Sequence, residues 1–502
     1  MDPPQTTAPP KEMTSTGETR FDYHRKRIGL ILAPTIFFAI LISPFPGLNT
    51  EAHKLAAVMG CIMCLWITEA LPLAVTGLLG PTLTILIGVA PASKAFSPFA
   101  DPIMFLFIGA LVLARALSLH GLDRRFAYHV LTHRWVGNSP SRILFTYGGI
   151  CCFISMWISN TATTAMMFPI GVAIIRTLQS TGENRLNPSY ASAMMLICAF
   201  AASIGGLATP IGTPTNLIGL GFINRQFGRQ IPFFEWMEFS VPIVIVLFLL
   251  LFLYLKLLCP AGVKQFSGIY TYLVAQRDRL GELTSGGRNT LIAFCITVIL
   301  WITPGFLALG LGTDHPLTST FSKLIPESVA AIIGTCILFI LPINWKRQEF
   351  TLPLKSALEI DWGILAMYGG GISLGQMVFD TKLAEAVGTG ISSLIPSTGY
   401  GTIAIFSALA TLTSEFTSNV ASANMVVPIV IMVTGSTGIQ AAIATTMTAS
   451  LGFMLPISTP PNAIVYSSGL VPITHMMKYG IFLDIIGIIV IITGAIFLFP
   501  SQ

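Results

Sequence analysis

The chain has little charge, and its only histidine or cysteine pairs with metal-site spacing are Cys61–Cys64 and His129–His133, the latter in an amphipathic segment expected to lie at the cytoplasmic membrane surface. Only 10% of its 502 residues are charged and 53% are hydrophobic, whereas about 25% of residues in soluble domains are charged. This composition excludes an ordinary soluble enzyme. The P-loop motif G-x-x-x-x-G-K-[ST] is absent from the sequence, which excludes that mode of ATP binding. The net charge of +5 is spread between apolar runs, so a nucleic-acid partner is not expected.

The eight cysteines all lie in or at the edge of apolar runs. Cys61 and Cys64 form a C-x-x-C pair, but no second pair follows in a polar loop. We therefore expect the cysteines to be buried small apolar residues rather than zinc ligands or a disulfide framework.

Thirteen apolar runs predict helices in a membrane. They cover residues 28–45, 54–70, 73–91, 102–119, 143–175, 190–222, 240–259, 289–311, 326–343, 362–378, 402–434, 438–468 and 480–499. The runs 143–175 and 402–434 are each 33 residues long and carry a polar knot at the midpoint. Each arm has ~16 residues, fewer than the ~20 that a span needs, so a re-entrant hairpin satisfies the backbone better than two truncated spans. The sequence predicts an all-α polytopic membrane protein with 11 transmembrane helices and two re-entrant hairpins.

Polar segments and basic residues predict the domain organisation. Residues 1–27 are polar and proline-rich, and they are expected to form a disordered cytoplasmic tail. Most basic residues in the connections fall on the same side as this tail, which predicts a cytoplasmic N-terminus. The plasma (inner) membrane is the expected location. Hairpin 143–175 then enters from inside, within a first repeat of residues 28–259. A cytoplasmic linker, 260–288, precedes a second repeat, 289–502, whose hairpin 402–434 enters from outside.

Two motifs occur twice in the chain. The segment W-I-S-N-T-A at 157–162 matches F-T-S-N-V-A at 416–421 with an offset of 259, and P-I-G-T-P-T-N at 210–216 matches P-I-S-T-P-P-N at 456–462 with an offset of 246. An odd number of spans separates the copies, so they have opposite topology. Inverted repeats with paired broken helices indicate a secondary transporter whose binding site lies where the repeats meet.

The four polar breaks have the chemistry of paired anion and cation sites. Each hairpin's return arm begins at an asparagine, which is expected to cap the arm, and the free N–H groups there favour an anion. The prolines of the second motif free backbone carbonyls, which together with Ser, Thr and Asn oxygens suit an alkali cation. Such residues also serve simply to join helices in membranes, but four clusters in two symmetric pairs favour binding.

These motifs resemble those of the divalent anion/sodium symporter family, which carries dicarboxylates, citrate or sulfate. The resemblance covers residues 28–499 and rests on Ser159-Asn160-Thr161, Ser418-Asn419-Val420, Gly212-Thr213-Pro214, Ser458-Thr459-Pro460 and the W-I-T-E-A-L-P segment at 66–72. It implies a homodimeric elevator transporter, in which a transport domain holding both hairpins slides against a scaffold domain. It also implies sodium as the coupling ion and no other cofactor.

The resemblance further implies which residues bind the ions and the substrate. One sodium ion would be held at the first tip by Ser155, Ser159, Asn160 and the Gly212 carbonyl, and another at the second tip by Ser414, Ser418, Asn419 and the Ser458 carbonyl. The substrate's carboxylates would lie between the two asparagines, within reach of Thr161, Val420, Thr213 and Thr459.

One residue departs from the pattern of the dicarboxylate carriers. Those proteins usually have Thr at the third position of both tip motifs, whereas the second copy here has Val420. Citrate or sulfate therefore stays open as the substrate. Sodium-independent exchangers of the same superfamily tend to lose the second Ser-Asn pair, which this chain retains, and that favours sodium coupling.

An intramembrane serine hydrolase is the alternative from another class, because residues 371–375 match G-x-S-x-G. A serine nucleophile needs a base, and none of the seven histidines falls in mid-span. The glycines are expected to permit close helix packing instead.

Of the carboxylates near the motifs, Glu415 is a candidate to tune the second cation site and Glu69 is assigned to structure, while Asp484 has no explanation from the sequence. The sequence thus predicts a transporter that imports succinate, malate or fumarate with sodium.

Overall fold

The computed structural model describes residues 16–180, 187–266, 268–392, 399–434 and 438–499, and these are mostly α-helical. The first half contains α1 Thr16–Ile42, α2 Thr50–Thr68, α3 Leu73–Leu86, α4 Ala92–Ala95, α5 Pro102–Leu119, α6 Leu122–Leu131, α7 Pro140–Ser155, α8 Asn160–Ser180, α9 Pro188–Gly206, α10 Pro214–Phe227 and α11 Phe233–Leu258. After α12 Ile269–Asp278, the second half contains α13 Ser285–Leu311, α14 Pro316–Leu324, α15 Glu327–Ile340, α16 Leu354–Ala357, α17 Trp362–Asp380, α18 Leu383–Ser392, α19 Tyr400–Phe416, α20 Asn419–Thr434, α21 Ile439–Thr448, α22 Pro460–Tyr466 and α23 Ile473–Phe497. Two short antiparallel strands, β1 Pro342–Asn344 and β2 Glu349–Phe350, join α15 to α16.

Helix α1 begins before the predicted end of the polar tail. Residues 16–27 are helical, whereas the sequence predicts disorder up to residue 27, and residues 1–15 lie outside the described part of the chain. The prolines of the tail end at Pro10, so nothing after them prevents a helix. Arg25 also anchors this turn, because its Nη2 lies 2.7 Å from Oε2 of Glu69. Glu69 ends α2 in a left-handed conformation with φ of 47°, which agrees with the structural role predicted for it.

Both motif pairs interrupt helices at the predicted places. Helices α7 and α8 are separated by residues 156–159, and α19 and α20 by residues 417–418. The second motif separates α9 from α10 at 207–213 and α21 from α22 at 449–459. Prolines at the first positions of α10 and α22 explain where these helices start, because proline is tolerated in the first turn of a helix but not in its interior.

Among the described residues, seven helices have the length and apolar composition to cross a membrane, or up to eight if the pair α14 and α15, bent by 57°, is counted as one span. Helix α9 is almost wholly buried, whereas α13 exposes most of its apolar surface. These findings support an integral membrane protein. The figure of 11 spans and the re-entrant nature of the two helix pairs stay predictions.

The predicted linker is partly helical and is attached to the rest of the chain. It contains α12, and α13 begins inside its predicted range, at Ser285. Phe266 N–H donates to the Asn138 carbonyl at 2.9 Å. The guanidinium of Arg125, on α6, donates to the carbonyls of Leu280, Gly281 and Glu282. The linker therefore packs beside α6 through its backbone.

The cysteine prediction is correct for six of the eight residues. All eight are free thiols; Cys295 on α13 and Cys336 on α15 are exposed, and the other six are buried. The two exceptions lie on apolar helices that turn part of their apolar surface outward, which the sequence pattern alone does not reveal.

The helices form two bundles. The hairpin bundle consists of α7–α11 and α19–α23, and the flanking bundle consists of α1–α3, α5, α13, α15 and α17. Helix α17 faces the hairpin bundle with glycines that admit close contact. A Cβ on Gly371 would collide with the amide of Asn424 on α20, and one on Gly375 would collide with the ring of Phe222 on α10. The glycines of the G-x-S-x-G motif thus serve packing, as predicted.

A charged network around Arg225 crosses between the bundles. Arg225, on α10, lies 2.7 Å from Oδ2 of Asp101 at the start of α5 and donates to Oε1 of Gln376 on α17 at 2.6 Å. The Asp101 side chain is 10% exposed, so this ion pair is shielded from water. It ties the end of α10 to two helices of the flanking bundle.

Candidate ion and substrate site

The first tip cluster lies where α7 ends and α8 begins. Ser155 Oγ donates to Asn160 Oδ1 at 2.8 Å. A Cβ on Gly206, at the end of α9, would collide with Asn160 Oδ1 and would lie 3.2 Å from the Gly212 carbonyl oxygen. The structure therefore brings Ser155, Asn160 and Gly212 around a glycine whose missing side chain leaves space between their oxygens.

The second tip cluster repeats this geometry. Ser414 Oγ donates to Asn419 Oδ1 at 2.6 Å and to the Ala449 carbonyl at 2.9 Å. A Cβ on Gly452 would lie 3.3 Å from Ser414 Oγ and 3.5 Å from both Asn419 Oδ1 and Ser458 Cβ. Gly452 and Gly206 differ by the same offset of 246 as the second motif, so both copies place a serine and an asparagine oxygen at equivalent positions.

The helix caps at the tips are serines rather than the predicted asparagines. Ser159 Oγ accepts from Ala162 N–H at 3.3 Å, and Ser418 Oγ accepts from Ala421 N–H at 3.1 Å. The oxygen of each asparagine instead accepts from a serine in the last turn of the preceding helix. Asn160 and Asn419 are thus the first residues of their helices, and their side chains turn toward the break.

Asn216 and Asn462 hold the broken helices open, and sequence reasoning did not single them out. Asn216 Nδ2 donates to the carbonyls of Gly206 at 3.0 Å and Thr209 at 2.8 Å. Asn462 Nδ2 donates to the equivalent carbonyls of Gly452 at 2.8 Å and Leu455 at 3.0 Å. Both asparagines are fully buried. Their recurrence in the second motif was the one available sign of this role.

The remaining predicted substrate residues lie in two different settings. Thr213 and Thr459 are buried at the starts of α10 and α22, and Thr459 Oγ1 accepts from Asn462 N–H at 3.3 Å. Thr161 is exposed and Val420 is half-buried, each in the first turn after a tip. The two breaks meet through a hydrogen bond between the Thr215 and Ser450 hydroxyls. Contact of these residues with a substrate stays a prediction.

Glu415 is buried beside the second break instead of facing water. Its carboxylate accepts from the N–H groups of Met454 at 2.8 Å and Leu455 at 3.1 Å, and also from the Ser458 hydroxyl. The Glu415 carbonyl accepts a second bond from Ser458 at 3.0 Å. Glu415 therefore fixes the backbone of the second break, which contributes Ser458 to the second tip cluster.

Ser373 is hydrogen-bonded to the backbone and, among the described residues, not to a base. Its hydroxyl is buried and donates to the Ala95 carbonyl at 2.6 Å. The bond joins α17 to the end of α4, so Ser373 has a packing role.

Comparisons with known proteins agree with this arrangement. The family described as "Sodium:sulfate symporter transmembrane region" matches residues 24–499. The chain belongs to this family. The predicted resemblance to the divalent anion/sodium symporters is thus confirmed, and the chain is a transporter and not an enzyme.

Relatives within the symporter family cover nearly the whole chain. A sodium-dependent dicarboxylate transporter SdcS of Staphylococcus aureus is 31% identical over 483 residues, which cover 94% of this chain and 91% of that protein. The SdcS of Staphylococcus saprophyticus is 30% identical over 484 residues, with the same coverage of 94% and 91%. These names support sodium as the coupling ion and indicate no further cofactor.

Two solved transporters share the fold at low sequence identity. The YdaH transporter of Alcanivorax borkumensis has a TM-score of 0.55 and 13% identity and covers 95% of this chain and 97% of its own. MtrF of Neisseria gonorrhoeae has a TM-score of 0.51 and 11% identity, with coverage of 98% and 96%. This symporter thus has an architecture found in other membrane transporters.

Proposed function

We propose that this protein imports a small dianion, a C4-dicarboxylate such as succinate, malate or fumarate, together with sodium ions. The observation that carries the proposal is the pair of equivalent tip clusters, in which the Ser155–Asn160 and Ser414–Asn419 hydrogen bonds recur in both repeats. Neutral oxygens beside a helix N-terminus provide for a cation and an anion at the same place. The relatives named sodium-dependent dicarboxylate transporters support the choice of substrate and ion.

Each residue has a proposed role in the cycle. Sodium ions bind at the two tips, one to Ser155, Ser159, Asn160 and the Gly212 carbonyl, the other to Ser414, Ser418, Asn419 and the Ser458 carbonyl. The substrate lies between Asn160 and Asn419 and contacts Thr161, Val420, Thr213 and Thr459. The sodium ions bind at the tips before the dianion. Their positive charge offsets the repulsion between the substrate's carboxylates and the backbone carbonyls of the breaks.

The proposed mechanism is an elevator with 11 spans and two re-entrant hairpins, in which the hairpin bundle is the transport domain and the flanking bundle is the scaffold. Helix α17 supports this division, because its glycines give the hairpin bundle a surface without large side chains to move along. The exposed apolar residues of α13 and α15 provide surface for lipid or for a second copy in a homodimer. The N-terminus lies in the cytoplasm, and the membrane is the plasma (inner) membrane.

One contact supports an inward-facing state in this proposed mechanism. Arg25 Nη1 lies 3.5 Å from the Phe416 carbonyl oxygen at the second tip. Arg25 belongs to the cytoplasmic end of α1 in the proposed orientation, whereas the second hairpin enters from outside. In the proposed orientation, this contact supports a position of the second tip near the cytoplasmic side.

Uptake into proteoliposomes tests the function directly. Labelled succinate, citrate and sulfate are compared in parallel, with and without an inward sodium gradient. We expect succinate to accumulate only with the sodium gradient. Preference for citrate or sulfate would change the substrate, and equal uptake without sodium, driven by an internal anion, would indicate exchange.

Val420 is expected to influence which dianion is preferred. Val420→Thr restores a hydroxyl at the third position of the second tip motif and should favour C4-dicarboxylates over citrate and sulfate several-fold, because one buried polar contact contributes about 1 kcal/mol. Competition of the three anions against labelled succinate measures the shift. Thr161→Val, the reciprocal change in the first repeat, should shift preference the opposite way. An unchanged ranking in both variants would show that this position does not line the site.

A further inference from the structure

Asp484, on α23, is a buried carboxylate without a hydrogen-bond partner. Its side chain is 4% exposed, and among the described residues neither carboxylate oxygen accepts a hydrogen bond. The polar groups that face it are the carboxylate of Glu415 and the backbone of Phe453. Asp484 therefore faces another acid inside the protein.

Two buried carboxylates in contact need a positive charge with them. Glu415 is 1% exposed, and within the described part of the chain neither acid forms an ion pair with a basic side chain. Like charges in contact repel strongly where water is excluded, so two ionised carboxylates need a proton or a small cation between their oxygens. The arrangement thus favours a small cation between the two acids.

The fold itself does not need these acids. The first repeat has Met156 at the position equivalent to Glu415, at the offset of 259. Pro232 precedes α11 and Pro472 precedes α23. Val244 lies as far after Pro232 as Asp484 lies after Pro472, and Val244 is buried. Equivalent helices therefore pack with two apolar residues in one copy and two carboxylates in the other, which indicates a role beyond packing.

Other oxygens complete the surroundings of the pair. Ser458 Oγ contacts the Glu415 carboxylate. Gly480, one helical turn before Asp484, packs against the Phe453 carbonyl so closely that a Cβ would collide with it. Carboxylate, hydroxyl and carbonyl oxygens are hard ligands of the kind that alkali cations take.

We propose that Asp484 and Glu415 bind a sodium ion that is separate from the two tip sites and is carried with the substrate. This inference rests on the proposed sodium-coupled import of a dianion. Two tip ions only neutralise a dianion, so a further sodium makes each cycle carry one net positive charge inward, and a negative interior then drives accumulation.

The transport test measures charge moved per succinate in proteoliposomes with a fixed sodium gradient and a potassium diffusion potential set by valinomycin. The wild type should accumulate more succinate when the interior is negative. Asp484→Asn keeps the size of the side chain and removes its charge, and it should abolish this voltage response and lower the Hill coefficient for sodium by about one. Glu238→Gln removes an exposed acid from α11 and should change neither quantity. Voltage-independent uptake by the wild type, or an unaltered response in Asp484→Asn, would overturn the proposal.

A binding test separates this site from the proposed function. Calorimetric titration of the purified protein with sodium, without substrate, should give one bound ion fewer for Asp484→Asn than for the wild type, and Asp484→Glu should restore it. If sodium-dependent succinate uptake fails while this difference persists, the function is wrong and the site stands. If all three proteins bind the same number of sodium ions, the sodium assignment is wrong. It is also wrong if Asp484→Asn abolishes proton transport coupled to uptake and leaves sodium binding intact.

Discussion

Asn160→Ala and Asn419→Ala are each expected to abolish transport while leaving the protein folded. Each side chain accepts from a serine hydroxyl across a break, at 2.8 Å for Asn160 and 2.6 Å for Asn419, and Asn419 Nδ2 also donates to the Ser450 carbonyl at 3.2 Å. Removing either amide leaves polar groups unpaired at a cost of about 1 to 3 kcal/mol. It also removes the oxygen proposed to bind sodium. Initial rates of sodium-driven succinate uptake measure the loss.

Asn187→Ala provides the matched control for the tip asparagines. Asn187 caps α9 away from the tips, where its Oδ1 accepts from Ser189 N–H at 3.0 Å. Its loss should cost about 1 kcal/mol of stability, as for other helix caps, without abolishing uptake. Near wild-type transport with unchanged sodium affinity in either tip variant would contradict the tip assignment.

Asn216→Ala and Asn462→Ala should weaken sodium binding without replacing any proposed ligand. Each amide donates to two carbonyls of a helix break, and each buried group left without a donor costs about 1 to 3 kcal/mol. We expect the sodium concentration for half-maximal uptake to rise about tenfold or more. The ratio of lithium-supported to sodium-supported uptake should change as well, because a looser set of oxygens discriminates less between ions of different size.

Asn289→Ala distinguishes this effect from a general loss of stability. Asn289 Nδ2 donates to the Pro342 carbonyl at 3.1 Å and to Thr351 Oγ1 at 2.9 Å, in the flanking bundle. It loses bonds of the same kind but lies outside the tips, so its sodium dependence and ion selectivity should match the wild type. A tenfold loss in this control, or wild-type sodium affinity in Asn216→Ala and Asn462→Ala, would contradict a positioning role.

The repeated motifs predicted where the helices break, because a polar knot or a pair of prolines acts on its own local backbone. Helices α8 and α20 begin at Asn160 and Asn419, and α10 and α22 begin at Pro214 and Pro460, as those patterns require. The start of α1 could not be predicted, because a polar composition occurs both in disordered tails and in solvent-exposed helical turns. Its first turns are stabilised by a partner in another helix, Glu69.

The partners of the functional residues could not be predicted in the same way. Glu415 holds backbone groups about 40 residues further on, and Arg225 meets Asp101 from more than a hundred residues away. These contacts depend on how the bundles pack, which periodicity does not report. Asp484 is the clearest case. The sequence shows a single acid in an apolar helix, and only the packing of α23 against α19 shows that Glu415 is its neighbour.

The hydrogen bond between Thr215 and Ser450 limits what single substitutions can reveal about this transporter. It joins the broken helix of one repeat to that of the other. The backbone segments beside the two tip clusters are therefore connected by a direct hydrogen bond. If each tip binds an ion as proposed, we expect the ion at one tip to shift oxygens of the other, so that the two sites fill cooperatively. A change confined to one repeat will therefore alter the apparent affinity of both ions. Assigning a sodium titration to an individual tip requires paired substitutions analysed as a double-mutant cycle.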